Sequence, residues 1–219
     1  KLIPIIAVPT TAGTGSEVTP WATVWDNAEK KKYSLHLPDL WPQSALLDPE
    51  LSLSLPLGIT ISTALDALSH ALESLWNKNR NPVTSLFAVE AAKEILWTLP
   101  RLKEDPANLE LRGKMLLAST HAGFAFSNTS TSIAHAISYY LTSHFGVSHG
   151  LACGFSLPDI LDAAWGVDEE LDSLLDQIFG KKSSQPLRSF FNQLGVSTLF
   201  KDYGATKDVL AEIQKSLKG

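Results

Sequence analysis

An aspartate and a histidine stand four residues apart in the stretch DALSHALES, inside an apolar run that is typical of a helix. Asp66 and His70 would then lie one turn apart on one helix face, so both side chains could reach a common metal ion. The pair alone also fits an ordinary alternative, in which the two side chains simply hydrogen-bond each other at a surface. The rest of the sequence has to decide between a metal site and a local contact.

Two later histidines could complete a metal site. His135 falls on an apolar helix face in SIAHAISYY, where an imidazole must find a partner, and His149 opens the segment SHG. In one continuous helix these two side chains would lie about 21 Å apart, too far to share an ion, so the helix has to break between them. Gly146 can end the helix, and Gly150 can permit a second sharp turn that returns His149 towards His135.

The resulting donor set contains one carboxylate and three imidazoles. Such a set suits Zn²⁺ or Fe²⁺ better than Mg²⁺ or Ca²⁺, which prefer oxygen ligands. Four protein ligands can still leave a coordination position open to a substrate. His121 and His144 are spare candidates for the site, whereas His36 belongs to a predicted strand and is expected at the surface.

The elements that would position these residues differ between the two ends of the chain. Up to about residue 50 the sequence has strand and turn patterns, with strands in IIAV, ATVWD and KKYSLHLP and a loop in PTTAGTGSE. Beyond that point apolar residues recur at helical spacing. We therefore predict a mainly α fold, in which a partial α/β (Rossmann-like) remnant over residues 1–50 precedes an all-helical metal-binding domain over residues 51–219. The predicted helices are ITISTALDALSHALESLW, PVTSLFAVEAAKEILWTL, LELRGKMLLASTHAGFAF, STSIAHAISYYLTSHF, DEELDSLLDQIF, PLRSFFNQLG and TKDVLAEIQKSL.

Composition argues against several classes of protein. The 219 residues include 18 basic and 23 acidic ones without a long basic run, so we expect neither nucleic acid nor a membrane surface as a partner. Cys153 is the single cysteine and cannot form an internal disulfide, and the apolar segments are too short to span a membrane. These features predict a cytoplasmic protein. The buried-strand pattern KLIPIIAVP at the very start suggests a chain that begins inside a fold.

Three motifs, PTTAGTGSEVT, DALSHALE and AHAISYYLTSHFGVSHG, together resemble the iron-containing (group III) alcohol dehydrogenase family. The resemblance implies that Asp66, His70, His135 and His149 bind one divalent metal, Fe²⁺ or Zn²⁺. A further histidine that is common in the family, four residues after the third ligand, is Tyr139 here. The segments SHALESLWNKN, AFSNTSTSIAHAISYYLT and TPWATVWD are similar to the phosphonoacetaldehyde reductase branch of the family.

The resemblance also implies an activity, in which hydride passes between NAD or NADP and a small aldehyde or alcohol, with the metal as Lewis acid. Tyr139, in place of the family's histidine, and His144 are the side-chain candidates for proton transfer, beside a metal-bound water or a ribose hydroxyl. Lys78 and Arg80 could hold a phosphonate group, although they could equally be charges that compensate the dipole at a helix C-terminus. The family's main pyrophosphate-binding turn would lie upstream of Lys1. The implied cofactor contacts are Thr10, Thr11, Gly13, Thr14, Ser16, Thr19 and Lys32.

Two other kinds of function stay open. Related metal-dependent polyol dehydrogenases and cyclases share the implied architecture and would act on other substrates. A truncated, non-catalytic homologue could instead serve as an assembly or interaction module, and it would fold without metal and bind no nicotinamide. We expect a homo-oligomer, most simply a dimer, and exposed strand edges near the start of the chain would favour self-association.

Overall fold

The computed structural model describes residues 3–26 and 28–216, and for residue 216 the backbone alone. Within these ranges the strands fall in the first fifth of the chain and the helices follow, which confirms the predicted mainly α fold. Lys1 and Leu2 of the predicted first strand, and Leu217 of the last predicted helix, lie outside the described residues.

The described strands form two separate two-stranded sheets. In the first, β1 (Ile6–Ala7) runs parallel to β4 (Ser44–Ala45). In the second, β2 (Trp21–Asp26) and β3 (Lys31–His36) form an antiparallel hairpin. The loop that precedes β2 ends in a single 3-10 turn. The predicted strands are therefore present, with IIAV shortened to two residues.

The helices occupy the rest of the described chain. Seven of them match the predicted segments, whereas the two short helices α5 and α6 had no sequence prediction because they contain too few residues to show a helical period. The helices are α1 (Leu57–Leu75), α2 (Pro82–Glu104), α3 (Leu109–Thr129), α4 (Ile133–Phe145), α5 (His149–Gly154), α6 (Leu157–Ala164), α7 (Glu169–Phe179), α8 (Gln185–Leu194) and α9 (Lys207–Ser216). None of the described helices is long and apolar enough to cross a membrane.

Helix α1 lies at the centre of the helical part and packs against α2, α3, α4 and α5. Every residue from 64 to 75 is buried, so this half of the helix has no solvent face. A helix that is buried all round normally carries apolar residues on every side. Helix α1 instead takes the carboxylates of Asp66 and Glu73 into the core, where each needs a partner to offset its desolvation.

Two glycines place α5 beside α1, in different ways. Gly146 ends α4 in the left-handed conformation with φ of 68°, as predicted, and its N–H donates to Thr142 O at 3.2 Å. The predicted second turn at Gly150 is wrong, because this residue lies within α5 and has no positive φ. Its small size is needed for another reason. A Cβ at Gly150 would stand 1.7 Å from Ser62 O, so only glycine permits this close approach of α5 to α1.

Candidate metal centre

Asp66, in the middle of α1, is surrounded by three histidines from three helices. Its Oδ1 atom lies 3.3 Å from His135 Nε2, 3.7 Å from His149 Nε2 and 3.8 Å from His70 Nε2. His70 follows on the same helix, His135 sits in the first turn of α4, and His149 begins α5. The structure thus brings together all four residues that the sequence analysis selected as ligands.

The imidazole of His70 is held by stacking against two other rings. Its imidazole stacks on Phe126 at 3.9 Å between ring centroids and on His135 at 4.6 Å. Both histidines are almost fully buried, whereas the side chain of His149 is about one third exposed. His149 therefore lies at the open side of the cluster, where a ligand would enter.

Glu73 fixes the position of His135 and was not identified from the sequence. One carboxylate oxygen, Oε2, lies 2.5 Å from His135 Nδ1, and the other accepts from Ala134 N at 2.6 Å. The carboxylate thus also caps the N-terminus of α4, which has no cap from its own Ser132 side chain. With Nδ1 donating to Glu73, Nε2 of His135 is left as the atom that can bind a metal. A signal did exist, because Glu73 lies two turns after Asp66 on the same face of the predicted helix.

The pKa values of the carboxylates reflect this enclosure. Burial raises the pKa of Asp66, but the surrounding histidines, led by His70, outweigh it and hold the pKa well below its ordinary range. Burial likewise raises the pKa of Glu73, and the hydrogen bond and charge of His135 outweigh it in the same way. Both carboxylates are therefore ionised at neutral pH and supply negative charge to the centre.

The histidines differ in charge. Burial lowers the pKa of His70 to about 4 in spite of the attraction of Asp66, so its imidazole is neutral at neutral pH and can act as a ligand. Burial also lowers the pKa of His135, but Cys153, Asp66 and Glu73 outweigh it and raise the pKa well above the ordinary value. The pKa of His149 is raised for similar reasons, by Cys153 and Asp66 against its burial. A metal that binds these two rings competes with protons for their nitrogen atoms.

Several buried polar atoms of the cluster have no hydrogen-bond partner. They are Asp66 Oδ1, His135 Nε2 and His70 Nδ1. An orphaned buried polar atom costs about 1–3 kcal/mol, and here Asp66 Oδ1 and His135 Nε2 face each other. A divalent cation would satisfy both at once, and a carboxylate with imidazoles is a donor set that iron and zinc accept. The residues present therefore fit a bound metal ion.

Cys153 is a further group in this cluster that sequence reasoning missed. Its Sγ atom lies 3.7 Å from His149 Nε2, and one donor atom each from Asp66, His135, His149 and Cys153 form a set within 4.8 Å of one another. Burial raises the pKa of Cys153, but His135 and His149 outweigh it, so the net shift is downward. Cys153 follows His149 by one turn of α5. Because α5 was not predicted, the sequence did not show that these two residues share a helix face.

The cluster forms the floor of a cavity of about 500 Å³ between the helices and the β2–β3 hairpin. From β2, the residues Trp21, Ala22, Thr23 and Trp25 line the cavity. Tyr139 of α4 also lines the cavity, where its ring lies 6.3 Å from that of Trp25, stacks on His149 at 6.3 Å and lies 3.9 Å from Lys32 Nζ. The lining thus combines aromatic walls, one amine and the candidate ligands.

The predicted cofactor loop reaches this cavity in part. Thr14, Ser16, Thr19 and Lys32 line it, whereas Thr10, Thr11 and Gly13 do not. Gly13 packs against α1 instead, since a Cβ there would stand 2.7 Å from Thr63 Cβ.

Glu17, within the 3-10 turn, anchors the loop to α3 by accepting from Thr120 Oγ1 at 2.7 Å. The loop is therefore docked on two helices, with the hydroxyls of Thr14 and Ser16 left exposed towards the cavity.

Four other predicted side chains lie away from the cavity. Arg80 folds back onto the end of α1, where it donates to Leu75 O at 2.9 Å and pairs with Asp168 and Glu170 at 3.1 Å. This is the dipole-compensating role that was the alternative to substrate binding, and neighbouring Lys78 also stays outside the cavity. The spare histidines His121 and His144 do not reach the cluster. His144 is exposed on the last turn of α4 and stacks on Tyr140.

Two models of known protein families match this chain. A model described as "Fe-containing alcohol dehydrogenase family, C-terminal" matches residues 60–217, and one described as "Iron-containing alcohol dehydrogenase" matches residues 1–49. The chain belongs to the iron-containing alcohol dehydrogenase family. The resemblance inferred from the three motifs is thereby confirmed.

Relatives of this iron-containing alcohol dehydrogenase chain include enzymes with different substrates. It is 38% identical over 159 residues to an NAD-dependent methanol dehydrogenase of Bacillus methanolicus, covering 73% of this chain and 42% of the relative. It is 38% identical over 157 residues to a phosphonoacetaldehyde reductase of Streptomyces viridochromogenes, covering 72% of this chain and 40% of the relative. The chain thus spans less than half the length of these two relatives.

A solved structure is similar over almost the whole chain. The sulfoacetaldehyde reductase of Bifidobacterium kashiwanohense, crystallised in complex with NAD⁺, superposes with a TM-score of 0.92 at 35% identity. The match covers 99% of this chain and 58% of that protein.

Proposed function

We propose that this chain carries the metal-binding catalytic part of a nicotinamide-dependent alcohol dehydrogenase that interconverts a small aldehyde and its primary alcohol. The observation that supports the proposal best is the convergence of Asp66, His70, His135 and His149 at the floor of a cavity. We assign residues 51–219 to metal binding and residues 1–50 to contacts with the nucleotide. We also place the protein in the cytoplasm as a homo-oligomer.

In this proposal the four side chains hold Fe²⁺ or Zn²⁺, which would supply Lewis-acid polarisation of the substrate oxygen, while NAD or NADP would supply or accept hydride. Glu73 keeps His135 in the tautomer that presents Nε2. Trp21 and Trp25 form aromatic walls of the cavity. Tyr139 is the phenol of the cavity wall, and we assign its hydroxyl the transfer of a proton to the substrate oxygen. His144 has no part in the reaction, because its ring lies outside the cavity.

The nucleotide would contact the loop before β2. Thr14, Ser16 and Thr19 offer hydroxyls on the cavity side, and Lys32 offers an ammonium group to a phosphate. Among the described residues that line the cavity, Lys32 carries the sole lysine or arginine charge. We propose phosphonoacetaldehyde as the first substrate to test, because the reductase of that name is a relative and a related neighbour reduces sulfoacetaldehyde.

Turnover tests the proposal directly. The chain, reconstituted with Fe²⁺ or Zn²⁺, is supplied with NADH or NADPH and a panel of short aldehydes, and the loss of reduced nicotinamide absorbance is followed. We expect metal-dependent oxidation in the parent and at least a 100-fold loss in His135→Ala, as expected when a metal is lost from a catalytic site. Full metal occupancy without aldehyde turnover would overturn the proposal. Activity on a sugar phosphate would then favour the polyol dehydrogenases and cyclases, and absent nicotinamide binding would favour an assembly module.

A substitution at Lys32 distinguishes two anionic groups that this lysine could bind in the cavity, the nucleotide phosphate and the phosphonate of the substrate. If Lys32 contacts the nucleotide, Lys32→Gln raises KM for the nicotinamide with every aldehyde. If it grips the substrate, the same change raises KM for phosphonoacetaldehyde and leaves KM for propanal unchanged. We expect the first result, since the family resemblance matches Lys32 to the nucleotide contact. Lys78→Gln, outside the cavity, serves as the matched control.

A further inference from the structure

Cys153 faces the metal cluster from α5. It is fully buried, and its Sγ atom lies 3.7 Å from Nε2 and 3.9 Å from Nδ1 of His149. As the single cysteine of the chain, it has no intramolecular disulfide to form. A buried free thiol usually packs as a small apolar group, and Cys153 in addition lies beside ionisable side chains.

The surroundings of Cys153 point to an ion. Asp66 Oδ1 and His135 Nε2 are buried and have no hydrogen-bond partner, and one donor atom each from Asp66, His135, His149 and Cys153 lie within 4.8 Å of one another. In a tetrahedral site with metal bonds of about 2.1 Å to nitrogen or oxygen and about 2.3 Å to sulfur, the donor atoms lie about 3.4–3.8 Å apart. The observed separations of 3.3 Å between Asp66 and His135, and 3.7 Å between Asp66 and His149, match this spacing. The sulfur lies at the matching 3.7 Å from His149 Nε2.

We propose that Cys153 donates its sulfur to the same metal ion as Asp66, His135 and His149. The inference rests on the proposed metal site and adds a donor to it. His70 Nε2 lies 3.8 Å from Asp66 Oδ1, so five protein donors surround the ion, and a bound substrate oxygen would take the place of one of them. Because thiolate is a soft ligand, its presence favours Zn²⁺ more than a purely nitrogen and oxygen set does.

Cobalt substitution tests this proposal with a readout independent of activity. The chain is loaded with Co²⁺ alone, bound cobalt is quantified by plasma mass spectrometry, and the near-ultraviolet spectrum is recorded. A thiolate-to-cobalt charge-transfer band is expected in the parent and in Met115→Leu, which removes the single methionine sulfur. The band should be lost in Cys153→Ser and Cys153→Ala while cobalt still binds.

The contrary outcomes are distinct. Stoichiometric cobalt in the parent without the band, or a band retained in the Cys153 variants, overturns the sulfur proposal and leaves the proposed function intact. No bound cobalt, iron or zinc in the parent overturns both. X-ray absorption spectroscopy of the zinc-loaded parent tests the same proposal without any variant, so the result does not depend on whether a variant folds. A scattering shell at about 2.3 Å beside the nitrogen and oxygen shell at about 2.1 Å supports the proposal, and its absence contradicts it.

Discussion

Glu73 decides which nitrogen of His135 faces the metal cluster. In Glu73→Gln the carboxamide keeps the size of the side chain but loses the charge that favours a proton on Nδ1, so the ring is free to change tautomer or orientation. We expect metal affinity to fall by about 10- to 100-fold, as for other partners of metal-binding histidines. Competition with a chelator measures the metal affinity. The exposed change Glu110→Gln is the control, and an unaltered affinity in Glu73→Gln would show that the contact at 2.5 Å does not orient the ligand.

The raised pKa values of His135 and His149 predict a pH dependence of metal binding. Each ring holds its proton to a higher pH than an ordinary histidine does, and a metal competes with that proton for the ring nitrogen. Affinity should therefore rise with pH from about 6 to 8, and the rise should continue above the ordinary histidine pKa of about 6.5. Proton release on zinc addition to a weakly buffered sample gives the same information. An affinity that is constant over this range would mean that the rings are neutral before metal arrives.

At the scale of elements, the contact of α5 with α1 brings His149 to Asp66. A Cβ at Gly150 would stand 1.7 Å from Ser62 O, so Gly150→Ala must push the helices apart. We expect a loss of about 1–3 kcal/mol in the free energy of unfolding, together with weaker metal binding.

Gly113→Ala is a matched control for this substitution. It adds the same methyl group inside α3, where the nearest atom would be 3.8 Å away, and should be neutral or stabilising by up to about 1 kcal/mol. Chemical denaturation measures both variants. Equal stability of the two would contradict the assigned close approach.

Local patterns were sufficient to predict the long helices and the break at Gly146. Helix α1 has a clear helical period over nineteen residues, and a glycine after an apolar run is a frequent helix end. Helix α5 has six residues, including two glycines, and its helical state depends on packing against α1. The partners of Glu73 lie on α4, and Cys153 meets Asp66 and His135 only because α5 packs beside α1 and α4, so both roles follow from tertiary structure that no local pattern encodes. Arg80 likewise pairs with residues almost ninety positions later.

At the scale of the whole molecule, the strands near the start of the chain expose apolar side chains. Ile6 on β1 is 69% exposed and Leu46, next to β4, is 60% exposed, although parallel strands are normally covered on both faces. Residues 1–219 produced alone should therefore self-associate through this sheet.

Sedimentation velocity at increasing concentration measures the association. The double variant Ile6→Lys and Leu46→Lys should reduce it, whereas Leu86→Lys, an equally exposed position on α2, should leave it unchanged. A parent that stays monomeric throughout would contradict the expectation.

The metal content of the purified chain tests the central claim most directly. Iron and zinc are quantified by plasma mass spectrometry in the parent, in His135→Ala and His149→Ala, and in His144→Ala as a histidine control outside the cavity. We predict near-stoichiometric metal in the parent and the control, and loss of the metal in the other two variants. Little metal in the parent after reconstitution, or metal retained without His135 and His149, would contradict the assignment of this cluster as a metal centre.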